Sequence, residues 1–330
     1  MAGMLAAGFV FAGCTQEDVT NAVETVKNAA ESLEKVTDAD NIEEEQKRWE
    51  NTKEALTDKD NETEIETIDA EGVKTYLLVG VDSREDNFTG RSDTMILVSV
   101  NEDKKKVVMT SVLRDIYADI PGYGKDRLNA AYAYGGSDLL TETLRENFGI
   151  TADAVICFNF YAVRDIVDGL GGIELTLTAD EISVMNGYIV SQNEDFGFAE
   201  GTDLMDEASG TYTVNGNQAL AYARIRYIGT DFARVERQRT VIRACLTKAK
   251  ELGVLGMASF IKNNYSKVQT DMTLSDIVSL VTLTADLSEY EVTSHTIPVD
   301  GTWSDATVDG MAVLSIDFEA NAGYYKAWIE

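Results

Sequence analysis

The chain has 330 residues and a formal net charge of −29, from 57 acidic and 28 basic side chains. This length supports one large or two small domains with a substantial core. The acidity argues against a nucleic-acid partner, because binding to nucleic-acid phosphates requires basic charge. The three cysteines form no disulfide framework. Cys157 and Cys245 are predicted to be packing residues, and a bridge between them is the alternative.

The first fourteen residues, MAGMLAAGFVFAGC, form an apolar run too short to span a bilayer. Its last four residues, Phe11–Cys14, resemble the lipobox of a bacterial lipoprotein signal. This resemblance predicts lipidation of Cys14 and a protein tethered at the extracellular face of the cytoplasmic membrane, next to the cell wall. The alternative is a buried or frayed apolar terminus.

Residues 15–71 are polar, acidic and almost free of aromatic side chains. Residues 1–75 hold 19 acidic and 7 basic side chains, so much of the net charge lies there. A segment of this composition cannot build a compact core. We expect a stalk or linker over 15–71 and one folded domain over 72–330, with its first strand near Val73.

The folded part alternates between buried-type strands and helical segments. Predicted strands are Thr75–Val81, Thr94–Val100, Lys106–Val112, Ala154–Phe160, Ile173–Leu177 and Glu291–Pro298, with a turn at Asn101–Lys105. Predicted helices are Asp138–Asn147 (capped by Ser137 and closed by Gly149), Ala162–Leu170, Asn217–Arg226, Phe232–Leu252 and Leu274–Leu287. Residues 178–214 are predicted to be loop-rich. This order predicts a layered α/β domain.

Charged side chains cluster where the predicted strands end, which is where open α/β sheets bind ligands. These side chains are Asp82, Arg84, Arg91, Asp93, Arg114, Asp115, Lys125 and Arg127, followed by Asn129 and Tyr132. Carboxylates among arginines suit a divalent cation that bridges phosphate oxygens. Structural salt bridges between Asp and Arg are the alternative.

A basic stretch stands out in this acidic chain. Between Arg224 and Lys250 eight cationic side chains face two acidic ones, which indicates a bound anion, and arginine suits phosphate in particular. Helical phase places one set of side chains on an inward stripe: Arg234, Arg237, Gln238, Val241 and Cys245. The opposite stripe is predicted to be a solvated face and contains Glu236, Arg239, Arg243 and Lys250. The alternative is that all the arginines of this stretch are ordinary surface charges. The sole histidine, His295, is predicted to be packed or exposed rather than catalytic.

Five segments then follow one another as in the LytR–CpsA–Psr (LCP) family, which the chain resembles over roughly Thr75–Lys250. They are GVDSR, GRSDTMILVSV, SVLRDIYADIPGYGKDRLNAAYAYGG, VDGLGGIEL and NGNQALAYARIRY…DFARVERQR. The resemblance implies an α/β/α layered domain with a central mixed sheet and an apolar groove for a polyprenyl chain. The groove walls would include Val241, Cys245 and the Leu274–Leu287 helix, and ordinary core is the alternative.

Members of this family look like extracellular Mg²⁺-dependent phosphotransferases of mainly Gram-positive bacteria. The implied substrate is a polyprenyl pyrophosphate-linked glycan, such as teichoic acid or capsule, and the implied acceptor is peptidoglycan. The family's usual anchor is an N-terminal transmembrane helix, which residues 1–14 do not match. Two other interpretations are open: a hydrolase that acts on the same lipid, and a non-catalytic module that binds polyprenyl phosphates.

The resemblance also implies roles by position. Asp82 and Asp93 would hold Mg²⁺. The predicted phosphate-binding arginines are Arg84, Arg91, Arg114, Arg224, Arg226 and Arg234. Substrate contacts are predicted for Arg127 (where the family usually has Lys), Asn129, Tyr132, Arg237 and Gln238. Leu113 replaces a frequent Pro before the Arg-Asp pair. The general base would be Asp231, with Asp82 as the alternative.

Overall fold

A computed structural model of the chain describes residues 65–272 and 289–330. Its first half contains β1 (Val73–Val81), β2 (Ser92–Asn101), β3 (Lys106–Val112), β4 (Tyr117–Ile120), β5 (Gly124–Arg127), α1 (Ala130–Phe148), β6 (Ala154–Phe158), α2 (Phe160–Gly169) and β7 (Ile173–Leu177). Its second half contains α3 (Ala179–Phe196), β8 (Gly210–Val214), α4 (Gly216–Arg224), α5 (Asp231–Glu251), α6 (Gly253–Asn264), a 3₁₀ turn (Tyr265–Lys267), β9 (Gln269–Thr270), β10 (Glu291–Ile297), β11 (Trp303–Val308), β12 (Met311–Ile316) and α7 (Phe318–Ile329).

Six strands form a mixed sheet in the order β10, β3, β2, β1, β6, β9. The strands β1, β2 and β3 run antiparallel, whereas β10 lies parallel to β3 and β6 lies parallel to β1. All three early strands were predicted, because their buried positions read as nearly continuous apolar runs. The predicted turn also forms, with Asn101 opposite Lys106.

Helices cover both faces of this sheet, so the predicted α/β/α layering is present. On one face Leu77 and Leu97 pack with Leu140 of α1 and Tyr325 of α7. On the other face a smaller cluster around Tyr76 and Val107 is covered by partly buried residues that include Leu246 of α5 and Ile261 of α6. Each apolar face of the sheet is therefore covered by helices, as a stable two-faced sheet requires.

A second apolar cluster joins α2, α3, α4 and α5 to the β7–β8 hairpin. Val241 is buried in it and Cys245 packs against it. These two residues are the predicted groove walls, and they lie within this packed helical layer. The predicted wall Leu274–Leu287 lies outside the described residues. Cys157 and Cys245 are both free thiols, so the alternative of a bridge between them is wrong.

The prediction of loops over residues 178–214 is wrong, since α3 and β8 occupy most of that range. Helix α3 begins with a capping box in which Thr178 and Glu181 each bond the other's backbone N–H. Its inward face starts with Ile182 and Met185 but ends with the buried amides of Gln192 and Asn193. The polar half of that face hides the apolar periodicity on which the sequence-based prediction depends.

Other predicted boundaries shift for local reasons. Helix α1 starts at Ala130 rather than Asp138 and is interrupted at Gly135 and Gly136, both of which have non-helical dihedrals. The strand predicted to reach Phe160 ends at Phe158, because the Asn159 side chain accepts a hydrogen bond from the Ala162 N–H and caps α2. Packing against the core begins before Val73, since Ile68 already contacts the first apolar cluster.

Helix α7 is linked to the sheet by hydrogen bonds among three buried hydroxyl groups. Tyr325 Oη lies 2.9 Å from Ser99 Oγ and 3.3 Å from Thr75 Oγ1. Tyr325→Phe should therefore lower the free energy of unfolding by about 1 kcal/mol, the net contribution of a typical buried hydrogen bond. Urea unfolding of the full chain measures this change. The matched control is Tyr324→Phe on the exposed side of the same helix, and equal values for the two variants would contradict the prediction.

Candidate functional site

A cavity of about 380 Å³ opens at the sheet edge where β1 and β3 end and β2 begins. Its lining is entirely polar: Asp82, Arg91, Asp93, Arg114, Arg127, Asn129 and Arg226. All seven residues were predicted as site residues from the sequence. The antiparallel order of β1, β2 and β3 brings Asp82, Arg91, Asp93 and Arg114 together, because it places the end of one strand beside the start of the next. The other three lining residues come from outside these strands: Arg127 ends β5, Asn129 lies just before α1, and Arg226 follows α4. At neutral pH the lining carries four positive and two negative side chains, which suits an anion.

Asp93 forms ion pairs with two of these arginines, Arg114 and Arg226. Its Oδ1 lies 2.7 Å from Arg114 Nη1, and its Oδ2 is ion-paired with Arg226. Burial alone would lower the pKa of Arg114, but the carboxylates of Asp93, Asp115 and Asp231 together raise it above its ordinary value. The guanidinium of Arg114 is therefore charged and fixed in direction. Both oxygens of Asp93 are already occupied by arginine.

Asp115 connects the cavity to the C-terminal hairpin. Its carboxylate lies 3.3 Å from Arg114 Nε and 3.4 Å from Arg127 Nε. Arg127 Nε also donates to the Ala312 carbonyl at 2.9 Å. Arg127 is thus bonded to β12, while its guanidinium still lines the cavity.

Asp82 presents an exposed carboxylate at the end of β1. The loop that follows it closes tightly, because the Asp82 N–H donates to the Arg91 carbonyl at 3.0 Å. Gly90 has φ +153°, and a Cβ there would lie 2.6 Å from the Asp82 carbonyl oxygen, so only glycine fits this approach. Within the described part of the chain the Asp82 carboxylate makes no ion pair, which leaves its oxygens available to a ligand.

Arg234 is the most unusual cation near the site. Its side chain is 3% exposed, and its only ion pair among the described residues joins Nη2 to Asp231 Oδ1 at 3.5 Å. Nε and Nη1 are buried without a hydrogen-bond partner in the described structure, as is Gln238 Oε1 one turn later. Burial lowers the pKa of Arg234, and the nearby Arg114 guanidinium lowers it further. Burying hydrogen-bond donors without acceptors costs free energy, so these nitrogens are suited to bind an anion that supplies the acceptors.

Arg224 is positioned by aromatic rings and a buried amide network. Its guanidinium carbon lies 4.3 Å from the Phe160 ring centroid, and Nη1 donates to Gln192 Oε1 at 3.2 Å. Gln192 in turn donates to Asn217 Oδ1 at 2.6 Å, and Asn217 donates to Asp203 Oδ2 at 3.0 Å. Burial lowers the pKa of Arg224, and the Asp82 carboxylate partly opposes that shift. This network was not predicted from the sequence, although the Asn-Gly-Asn-Gln segment that caps and begins α4 contains one of its members, Asn217.

Several predicted site residues lie outside the cavity lining: Arg224, Arg234 and Gln238, described above, and also Arg84, Tyr132, Arg237 and Asp231. Arg84 is exposed on the loop after β1, and Tyr132 is buried in the first apolar cluster. Arg237 turns away from the cavity, since its Nε lies 3.0 Å from Glu181 Oε1 and its Nη1 donates to the Ile228 carbonyl. Asp231 is half-exposed at the start of α5.

The prediction of a solvated face for Arg239 is wrong. Its side chain is 8% exposed, and its Nη1 donates to Ser111 Oγ and to the His295 carbonyl while Nη2 pairs with Glu236. Helical phase could not reveal this, because strand β10 lies against that side of α5. His295 is packed, as predicted, with its ring stacked 4.2 Å from that of Trp328.

The fold and site define an α/β/α domain with an arginine-rich anion cavity at one sheet edge. The model of the LytR_cpsA_psr family matches residues 32–321, and the chain belongs to this family. None of its described helices combines the length and apolar character needed to cross a membrane.

Named relatives include transferases of the cell envelope. The chain is 33% identical over 222 residues to the polyisoprenyl-teichoic acid–peptidoglycan teichoic acid transferase TagT of Bacillus subtilis and spans 66% of that protein's length, with 66% of this chain aligned. It is 32% identical over 266 residues to the regulatory protein MsrR of Staphylococcus aureus, covering 79% of this chain and 75% of that protein.

Solved structures confirm the predicted fold. The crystal structure of TagT with bound octaprenyl pyrophosphate superposes with a TM-score of 0.57 at 26% identity, covering 82% of this chain and 95% of that one. Protein gbs0355 from Streptococcus agalactiae superposes with a TM-score of 0.64 at 27% identity, covering 78% and 86% respectively.

The unpaired donors of Arg234 lead to a test of anion binding. Arg234→Met should abolish the binding of inorganic pyrophosphate to the full chain. The same change should leave the free energy of unfolding unchanged or about 1–2 kcal/mol higher, because it removes a buried charge with too few partners. Calorimetric titration and urea unfolding measure the two effects.

Arg243→Met is the matched control, since Arg243 lies about two and a half turns further along the same helix and pairs with the exposed Glu236. It should leave pyrophosphate binding intact. A loss of several kcal/mol in Arg234→Met would show that Arg234 stabilises the fold rather than a ligand.

Proposed function

We propose that this protein is a Mg²⁺-dependent phosphotransferase that moves a glycopolymer from a polyprenyl pyrophosphate carrier to peptidoglycan. The observation that carries the proposal is Arg234, a buried arginine near the cavity residues Arg114 and Asp93, with two nitrogens that have no partner among the described residues. The names of the relatives support the same reaction class, since several are teichoic acid transferases. The polymer would be teichoic acid, capsule or another wall polysaccharide.

The cavity arginines would bind the pyrophosphate. Arginine offers planar pairs of N–H donors that match phosphate oxygens, and four arginines line this cavity. Arg114 and Arg226 are already oriented by Asp93, so little rearrangement is required when charge develops in the transition state. Arg224 and Arg234 would complete the anion site from the helical layer.

The carboxylates fit a magnesium ion that arrives with the substrate. Mg²⁺ in phosphate chemistry is held by one or two carboxylates and by substrate oxygens, and the described residues hold no larger acidic cluster. Asp82 has an exposed carboxylate without an ion pair in the described part of the chain, and Asp93 would join after exchanging a contact with arginine. Bound there, the ion would neutralise phosphate oxygens and favour departure of the leaving group.

The reaction then requires a nucleophile and a proton acceptor. A hydroxyl group of the peptidoglycan acceptor would attack the phosphorus attached to the glycan, forming a new P–O bond. The bond to the bridging oxygen breaks, and polyprenyl phosphate leaves with that electron pair. We assign the hydroxyl proton to Asp231, whose half-exposed carboxylate lies beside Arg234 at the start of α5.

We also propose where the polyprenyl chain binds and where the protein is tethered. The polyprenyl chain would lie in an apolar groove of the helical layer, next to Val241 and Cys245. Lipidation of Cys14 would tether the protein at the extracellular face of the cytoplasmic membrane, with the acidic segment 15–71 as a spacer. The resemblance of Phe11–Cys14 to a lipobox supports the lipid tether, and the resemblance to the LCP family supports the apolar groove.

The first experiment mixes the full chain with a short-chain polyprenyl pyrophosphate glycan and peptidoglycan oligomers, in Mg²⁺ or in EDTA. Mass spectrometry should detect a glycan joined to peptidoglycan through a phosphodiester, in the Mg²⁺ sample alone. Free glycan phosphate without that product would favour a hydrolase. Lipid binding without turnover would favour a non-catalytic module.

The metal assignment has its own test. Asp82→Asn should lower kcat by about 100-fold and raise the Mg²⁺ concentration needed for half-maximal rate, because it removes a charged ligand. Asp86→Asn on the same loop is the control and should stay within about twofold of the wild type, since Asp86 does not line the cavity. Unchanged Mg²⁺ dependence in Asp82→Asn would contradict the assignment.

A further inference from the structure

Two tyrosine rings lie exposed and stacked near the cavity. Tyr123 is 61% exposed and Tyr134 is 41% exposed, although large aromatic side chains are usually mostly buried. Their ring centroids are 4.8 Å apart with an interplanar angle of 17°. Tyr134 covers one face of the Tyr123 ring, so the other face accounts for much of the exposed area. We call this pair the tyrosine shelf.

The shelf is held rigid by its surroundings. Tyr134 Oη donates to Asp126 Oδ2 at 2.6 Å, and Tyr123 Oη donates to the Tyr134 carbonyl at 3.5 Å. Tyr123 stands at the tip of the β4–β5 hairpin between Gly122 and Gly124, whose φ values of +77° and +81° make the tight turn. Helix α1 breaks at Gly135, directly after Tyr134. The stacking and these hydrogen bonds orient the two rings before a ligand binds, which reduces the entropic cost of binding.

The shelf lies near the anion cavity. The hydrogen bond to Asp126 raises the pKa of the Tyr134 hydroxyl, and the charge of Arg91 opposes this increase, so Arg91 lies near this hydroxyl. Arg91 also lines the cavity. Asp126, which accepts the hydrogen bond of Tyr134, is next to Arg127 in β5, and Arg127 is a second lining residue. The shelf is thus beside the site at which a phosphate-linked group would bind.

We infer that the tyrosine shelf is a saccharide-binding subsite, with the open Tyr123 face stacking on the apolar C–H face of a pyranose ring. Ring hydrogens of a sugar carry partial positive charge and match the negative face of an aromatic ring. The Asp126 carboxylate and the two phenol groups supply polar partners at the rim. The inference deepens the proposed function and rests on it for the choice of ligand: the sugar belongs either to the donor glycan or to the peptidoglycan acceptor.

The test measures the affinity of the full chain for three probes by calorimetry. Farnesyl pyrophosphate carries no sugar, farnesyl pyrophosphoryl-N-acetylglucosamine carries the donor type of sugar, and a phosphate-free tetramer of N-acetylglucosamine represents the acceptor. Tyr123→Ala should weaken at least one sugar-bearing probe about tenfold and leave farnesyl pyrophosphate unchanged. Tyr123→Phe, which keeps the ring, should bind like the wild type. Tyr324→Ala is the control, an exposed aromatic residue on α7 that does not line the cavity.

The outcomes separate the two proposals. Selective loss of the pyrophosphoryl sugar assigns the shelf to the donor, and selective loss of the tetramer assigns it to the acceptor. Equal affinity of all variants for both sugars, or no sugar binding by the wild type, overturns the subsite. Equal loss of all three probes in Tyr123→Ala also overturns it, because the pair would then only support the cavity. Failure of the wild type to bind farnesyl pyrophosphate counts against the proposed function, while the tetramer still tests the shelf.

Discussion

The site depends on the carboxylate of Asp93, which lies between Arg114 and Arg226. The two arginines are separated from it by 21 and 133 residues along the chain. Arg114 follows a strand of the central sheet, and Arg226 follows a helix of the second apolar cluster. One acidic side chain therefore connects the sheet edge to the helical layer and offsets the repulsion between two like charges. Without it, both guanidinium groups would lose their common orientation.

This arrangement explains how a basic cavity exists in a protein of net charge −29. At physiological ionic strength the interaction between exposed charges more than about 8 Å apart is largely screened, so the charges nearest to the cavity count most. The local balance of four arginines to two aspartates decides what binds there. Asp93 and Asp115 orient arginines, whereas Asp82 forms no ion pair with any residue that the structure describes. The acidic side chains of the site thus differ in role: two orient arginines, and one presents an exposed carboxylate. A count of charges does not show this difference.

The sequence predicted five of the six strands of the central sheet, all but the two-residue β9, and it predicted the residues that line the cavity, because both depend on local patterns. Strands β1 to β3 are apolar runs, and each is bounded by charged residues that must meet at the same sheet edge. The sequence did not predict α3, whose inward face ends with buried Gln192 and Asn193. It also did not predict that Arg239 is buried, because Arg239 is covered by the distant strand β10. Nor did it predict the orientation of the Arg237 side chain, which is set by its contact with the distant Glu181.

Arg234 and Arg239 show why burial alone does not identify a functional arginine. They lie on the same helix, and both side chains are less than 10% exposed. Arg239 is surrounded by partners on α5, β3 and β10, so its buried charge is compensated within the fold. Arg234 has one distant carboxylate and two unpartnered nitrogens in the described structure. The described residues compensate the buried guanidinium of Arg234 only in part, so this side chain is suited to an anion that supplies hydrogen-bond acceptors. The difference in their partners, rather than in their depth, is the reason why we propose a ligand for Arg234 and a structural role for Arg239.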